Sequence, residues 1–178
     1  MLKAKILDAI QQLDYSGCEL TDELIEKLYY EDVHEIMSKN EYEQVDEILD
    51  ALPQHVRLVY HLVDLQSTVN NDSLLSLFYN HSVGENKRLM EYLKTMGFSD
   101  LAGLIEKAQQ IILTKFPMPG DENQTFTEHK DPDIETYDYF GDEICQQIEE
   151  IEENDLQDLL WGDEFWERVR EIWNSMQK

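Results

Sequence analysis

The sequence predicts an all-α fold, a single compact multi-helix domain over residues 1–178 with acidic helices on its surface. Three observations predict it. Apolar residues recur at spacings of three and four almost throughout, with no convincing strand alternation and no internal repeat. Turn and cap residues fall between those runs at helix-length intervals. The 178 residues, 42% hydrophobic and 10% aromatic, can bury a core and exceed the apolar content of a disordered acidic chain.

Leu2, Ile6, Leu7, Ile10 and Leu13 share one face of a first helix, which Gly17 ends. Thr21 is placed to cap a second, with Asp22 and Glu23 in its first turn and Leu24, Ile25, Leu28, Tyr29, Val33 and Ile36 as its stripe. A short third helix runs over about 41–51 through Tyr42, Val45, Ile48 and Leu49. Pro53 suits the first turn of a fourth, PQHVRLVYHLVDLQSTV, apolar on much of its circumference and so the candidate central helix. Asn70 and Asn71 break the pattern before SLLSLFYN. A helix through KRLMEYLKTM stops at Gly97, and Ser99 is placed to cap the next, to about Lys115. Pro117, Pro119 and Gly120 end it, and residues 117–130 read as a linker. Asp131-Pro132 reads as a cap and first-turn proline, with helix through Ile134, Tyr137 and Phe140 and then Ile144, Ile148 and Ile151. Phe165, Trp166, Val169, Ile172, Trp173 and Met176 form the stripe of the last helix.

Thirty-nine acids against 14 bases give a net charge of −25 and a pI near 4.3. That balance argues against direct binding to nucleic acid or to anionic lipid, and points to a basic partner. The excess is local. Residues 19–50 hold 12 acids and two bases, residues 121–164 hold 17 acids and one base, and residues 51–120 balance six against six. Like charges gathered in this way cost stability, so a neutral centre between two dense blocks points to a purpose beyond solubility.

In DEICQQIEEIEENDLQD, residues 142–158, Ile144, Ile148, Ile151 and Leu156 occupy one face, and burying it pushes the carboxylates outward together. Block 121–164 carries about one acid per 4 Å of helix axis, comparable to the roughly 3.4 Å between phosphates on one DNA strand. The expected phosphate-like row is Asp121, Glu122, Asp131, Asp133, Asp142, Glu143, Glu149, Glu150, Glu152, Glu153, Asp155, Asp158, Asp163 and Glu164. A second row comprises Glu19, Asp22, Glu23, Glu26, Glu31, Asp32, Glu35, Glu43, Asp46, Glu47 and Asp50.

No catalytic, cofactor or metal site is expected. Asp131, Asp133 and Glu135 begin like a calcium loop, but Thr136 stands where the turn needs glycine and Asp142 where the bidentate Glu belongs. His34, His55, His61, His81 and His129 form no zinc pattern, and no nucleophile elbow or phosphate loop is present. Arg57, His61 and Asp64 read as a buried polar network. Trp166 and Trp173 read as core or subunit interface, not as a ligand box. Without an apolar run of membrane length or a signal-peptide core, and with only Cys18 and Cys145, a cytoplasmic protein with reduced thiols is expected.

Residues 50–116 resemble a bacterial all-helical domain family, long of unknown function. The resemblance is carried by Asn70 in a turn, then Phe78-Tyr79-Asn80, then Met96-Gly97, then Ala102 and Ala108. Asn71 and Asp72 replace the two turn glycines of the family pattern. Residues 121–178 are the acidic helical part beyond that core. The family includes a dimeric DNA mimic that keeps a transcription factor off its operator. The resemblance therefore implies a homodimer whose partner is a DNA-binding regulator, of helix-turn-helix type. An immunity or antitoxin protein blocking a basic nuclease is the alternative function.

Overall fold

In the computed structural model the described residues are 4–39, 44–71, 73–128, 130–131 and 133–177, with the backbone alone for 136 and 137. Leu2, Tyr42, Glu43, Asp72, His129 and Pro132 lie outside them. The fold is all-α, and no strand occurs among the described residues. None of their helices is long and apolar enough to cross a membrane. The backbone groups into two compact units, residues 1–65 with 163–178, and residues 66–162.

In the first unit, α1 (Ala4–Gln11) buries Ile6 and Ile10. Helix α2 (Asp22–Glu26) starts where expected, with Thr21 Oγ1 accepting from Leu24 N at 3.2 Å. It passes without a break into a π-helical segment, Lys27–Val33, and then α3 (His34–Lys39). The π turn has a readable cause. Leu28 and Val33 are both buried and five residues apart. An α-helix would place them roughly 140° apart, whereas an i→i+5 turn brings them back onto one face.

Helix α4 (Val45–Ala51) follows, and α5 (Gln54–Asn71) buries Val56, Leu58, Val59, Leu62, Val63 and Leu65 as the central-helix reading requires. Pro53 stands just outside α5, its carbonyl accepting from Arg57 N at 2.9 Å. The helix also runs through Asn70 and Asn71, so the break falls after them. The last helix, here α12 (Asp163–Met176), buries Phe165, Val169 and Trp173. Trp173 is a core residue. Its indole N–H donates to Cys18 O at 2.9 Å, and His55 meets its ring edge-on at 4.7 Å. Trp166 is half-buried.

The second unit contains α6 (Leu75–Asn80), α7 (Val83–Thr95), α8 (Ser99–Leu113), α9 (Thr136–Phe140), α10 (Asp142–Ile151), a second π segment (Glu152–Leu156) and α11 (Gln157–Trp161). Helix α7 packs on α8, and α10 on α8 and α9. Helix α7 begins four residues before Lys87, because Ser82 and Glu85 form a reciprocal capping box. Ser99 is the first residue of α8 and not its cap, Phe98 holding that position. Gly97, at φ +89°, ends α7 as expected.

The stretch 117–130 is packed and is not a linker. Val83 N and Gly84 N donate to the carbonyls of Gln124 and Glu122, at 2.9 and 2.7 Å. Phe126 is buried against Phe78, and Thr127 Oγ1 donates to Tyr79 O. Asp131 accepts from Asp133 N at 3.0 Å in a turn, and helix resumes only at Thr136. Polar composition alone reads as a linker, but the carbonyls of Glu122 and Gln124 find partners on α7, and the Thr127 hydroxyl finds one on α6.

Two helical glycines separate propensity from packing. A Cβ on Gly84 would lie 2.9 Å from the backbone oxygen of Glu122, whereas one on Gly103 meets nothing within 4 Å. Ala is the better helix former by about 1 kcal/mol. Gly103→Ala should therefore stabilise the protein by about 0.5–1 kcal/mol, and Gly84→Ala should destabilise it by about 1–3 kcal/mol. Urea unfolding of both variants checks this.

Candidate functional site

The candidate site is built on α10 and the turns that follow. Ile144, Cys145, Ile148, Ile151, Leu156 and Leu160 are buried. The side left outside carries Asp142, Glu143, Glu149 and Glu150, all exposed, with Gln146 and Gln147 among them. Asp142 and Glu149 are seven apart and lie on one line along the helix, with Glu143 and Glu150 on the neighbouring line. Four carboxylates thus share about 12 Å of axis.

The second π segment keeps this face in phase. Ile151 and Leu156 are buried and five apart, as Leu28 and Val33 are in the first unit. The extra residue returns Leu156 to the buried side, while Glu153, Asp155 and Asp158 remain exposed.

Glu152 departs from the expected outward row. It is half-buried, and its Oε1 accepts from Ser73 Oγ at 2.7 Å and from Leu74 N at 2.8 Å. Ser73 has φ +153°, an unusual conformation for a residue other than glycine. The carboxylate pins that turn and satisfies a backbone donor at the start of α6. Burial raises the Glu152 pKa, and its two hydrogen bonds offset only part of that. The sequence carried the signal: Glu152 follows Ile148 by four and Cys145 by seven, which places it on the apolar face.

Of the rest of the first row, Asp121, Glu122, Asp131 and Asp133 are exposed on the non-helical stretch before α9. Asp163 and Glu164 are exposed in the first turn of α12, in the other unit. Asp155 pairs with Lys107 at 3.1 Å. Asp142, Glu143, Glu149, Glu150, Glu153 and Asp158 have no cation partner among the described residues. Glu128, Glu135 and Asp138, in the same block but outside the expected row, are exposed as well.

The second row is more compensated. Asp22 pairs with Arg170 at 2.7 Å, Asp50 with Arg57 at 2.7 Å, Asp32 with Lys27 at 2.9 Å, and Glu35 with Lys39. Tyr15 donates to Asp32. Glu47 accepts from Gln44, while Glu19, Glu23, Glu26 and Glu31 are exposed without a cation partner among the described residues. Lys5, Lys27 and Lys39 line one cavity of about 450 Å³ beside Asp32 and Glu35, so this block carries its own counter-charge.

Of the expected buried network on α5, Arg57 and His61 are bonded to each other, Asp64 is bonded to Tyr29, and all three residues are half-buried. Arg57 Nε donates to His61 Nε2 at 3.3 Å, and Tyr29 OH donates to Asp64 at 2.8 Å. Burial and the adjacent Asp64 carboxylate push the Tyr29 phenol well above its ordinary range. Among the described residues no three of His, Cys, Asp or Glu come together as a group able to hold a metal ion. Neither cysteine is in a disulfide among the described residues, and Cys18 is exposed while Cys145 is buried.

A family model described as DMP19-like protein matches residues 50–171. It bears out the resemblance drawn from residues 50–116 and extends it through α10, α11 and most of α12. No curated protein and no solved structure matches.

The raised pKa of Glu152 has a consequence with a definite sign. The folded state disfavours its charged form, so this group's contribution to stability falls as pH rises from the ordinary value of 4.5 through the raised one. Glu152→Gln keeps the acceptor for Ser73 and Leu74 and removes the ionisation. The stability difference between variant and wild type, followed by denaturant titration, should therefore grow in the variant's favour between pH 4 and pH 7.

Proposed function

The chain belongs to the DMP19-like family, and from that premise we propose that it is a DNA mimic, a protein that occupies the basic groove of a DNA-binding regulator and keeps it off DNA. The observation that carries this reading is the face of α10 and its continuation. Six exposed carboxylates without cation partners among the described residues lie over residues 142–158, about one per 4–5 Å of axis, against roughly 3.4 Å per phosphate on one DNA strand. Over α10 the other exposed groups beside these carboxylates are the neutral Gln146 and Gln147.

The mimic works by electrostatic substitution. A helix-turn-helix regulator presents Lys and Arg to the phosphates on either side of a groove, and binding there releases counterions. Carboxylates on a rigid helix make the same contacts and block the same surface. Specificity against other basic proteins would come from the fixed order of charges, because a like-charge mismatch costs more than a matched pair contributes. A two-fold dimer would repeat the acidic face, as an operator repeats its half-sites. Such a protein acts in the cytoplasm, where its regulator is.

Charge reversal at Glu149, Glu150 and Glu153 leaves Glu152 in place and so spares the Ser73 turn. The triple Lys variant should keep the helical circular dichroism of the wild type and lose its hold on the regulator. For the wild type, the logarithm of affinity should fall linearly with that of salt concentration, by about 0.9 per contact made. Capture of a regulator from native cytoplasm, followed by its displacement with duplex DNA, provides the assay. A captured regulator that duplex DNA does not displace counts against mimicry. Sedimentation equilibrium should return twice the chain mass of 21.1 kDa; a monomer at working concentration removes the dimer from the proposal.

A further inference from the structure

Trp161 ends α11 with 43% of its surface exposed. It lines an open cavity of about 390 Å³ together with Val69, Asn70, Glu152 and Gln157, all of them in the second unit. The chemistry of this wall is uneven. One side is an indole. Another is a half-buried carboxylate whose Oε1 already takes the bonds from Ser73 and Leu74, and whose Oε2 receives none from a described residue. Asn70 and Gln157 add exposed amides, and no cation among the described residues lines the space.

We infer that this cavity is an anchor for an arginine side chain of the basic partner, with the guanidinium stacked on Trp161 and hydrogen-bonded to Glu152. The inference rests on the reading of the acidic face as a surface for a basic protein, and gives that surface a specific contact. Arginine fits better than lysine for three reasons. Its planar, weakly hydrated cation stacks on an aromatic ring at less desolvation cost. Its fork of donors can reach Glu152 Oε2 and the amide oxygens of Asn70 and Gln157 together. Its methylene stem can lie against Val69. The carboxylate is also held in place before binding, so little side-chain freedom is lost when the cation arrives. Burial has raised the pKa of Glu152, and an arriving cation would favour its ionised form. The surrounding helix face supplies long-range attraction for any cation, and this cavity selects among them.

The test uses the full chain and two labelled peptides, octa-arginine and octa-lysine, titrated at equal salt by fluorescence anisotropy. The wild type should bind octa-arginine about tenfold more tightly than octa-lysine. Trp161→Ala and Glu152→Gln should each bring that ratio close to one, and Trp161→Ala should leave octa-lysine affinity unchanged. Trp161→Phe, which keeps an aromatic face, should retain an intermediate ratio. Reversal of Glu149, Glu150 and Glu153 should weaken both peptides and preserve the ratio. A wild type without arginine preference overturns the inference, as does a preference that survives both Trp161→Ala and Glu152→Gln. Displacement of the captured regulator by duplex DNA is read separately. A chain that prefers arginine here but leaves its regulator on DNA retains the anchor and loses the mimicry; the opposite result loses the anchor alone.

Discussion

Ile144, Ile148, Ile151 and Leu156 hold a helical segment down against the mutual repulsion of its own carboxylates. Burial of each side chain is worth about 1.5–3 kcal/mol, so the four together contribute on the order of 6–12 kcal/mol before conformational entropy is counted. Each like-charge pair at helical spacing on the outside costs a few tenths of a kcal/mol. The apolar face wins by a wide margin, and the charges go where it leaves them. This dependence makes the acidic surface rigid. The carboxylates are not on a floppy tail that a partner must order, but on a helix already fixed from below by α8 and α9.

Glu152 divides the acidic segment into two kinds of carboxylate. Those outside act by field, additively and with strong salt dependence. Glu152 acts by geometry, its Oε1 fixed to Ser73 and Leu74 and its position set by the buried face next to it. The two blocks differ in a similar way. Residues 19–50 bring their own lysines to Asp32 and Glu35, and arginines from α5 and α12 to Asp50 and Asp22. Helix α10 has no such compensation among the described residues. Net charge alone treats the blocks alike, while the structure makes the later one the stronger candidate for a partner.

The fold class, the Thr21 cap, the central burial of α5, the Gly97 stop and the stripe on α12 were legible because each is set by local spacing. Three features were not. The Ser82–Glu85 capping box starts α7 ahead of the apolar run that marks the helix, so that run alone places the start too late. The packing of residues 117–130 depends on the carbonyls of Glu122 and Gln124 meeting amides about 40 residues earlier in the chain, which no local pattern encodes. The role of Glu152 could be read from its distance to Ile148 and Cys145, but a run of four acids within five residues hides the one that faces inward. The outward placing of Asp142, Glu143, Glu149 and Glu150 follows from the spacing of Ile144, Ile148 and Ile151, which fixes the buried side of α10.

Both π segments lie where buried residues are five apart, inside the two acidic blocks. Each is an α-helix carrying one residue more than its repeat needs. Deleting a single residue from 29–32, or from 152–155, would return the local hydrogen bonding to i→i+4 and place the flanking apolar side chains four apart, still on one face. These are therefore the positions inside helices where a single-residue gap can separate members of a family without breaking the core. Elsewhere in the same helices an insertion or deletion would rotate every following side chain by about 100° and turn the buried stripe outward. The molecule thus holds two sites of length tolerance within otherwise phase-locked helices, and in the later segment that tolerance also governs which carboxylates face the solvent.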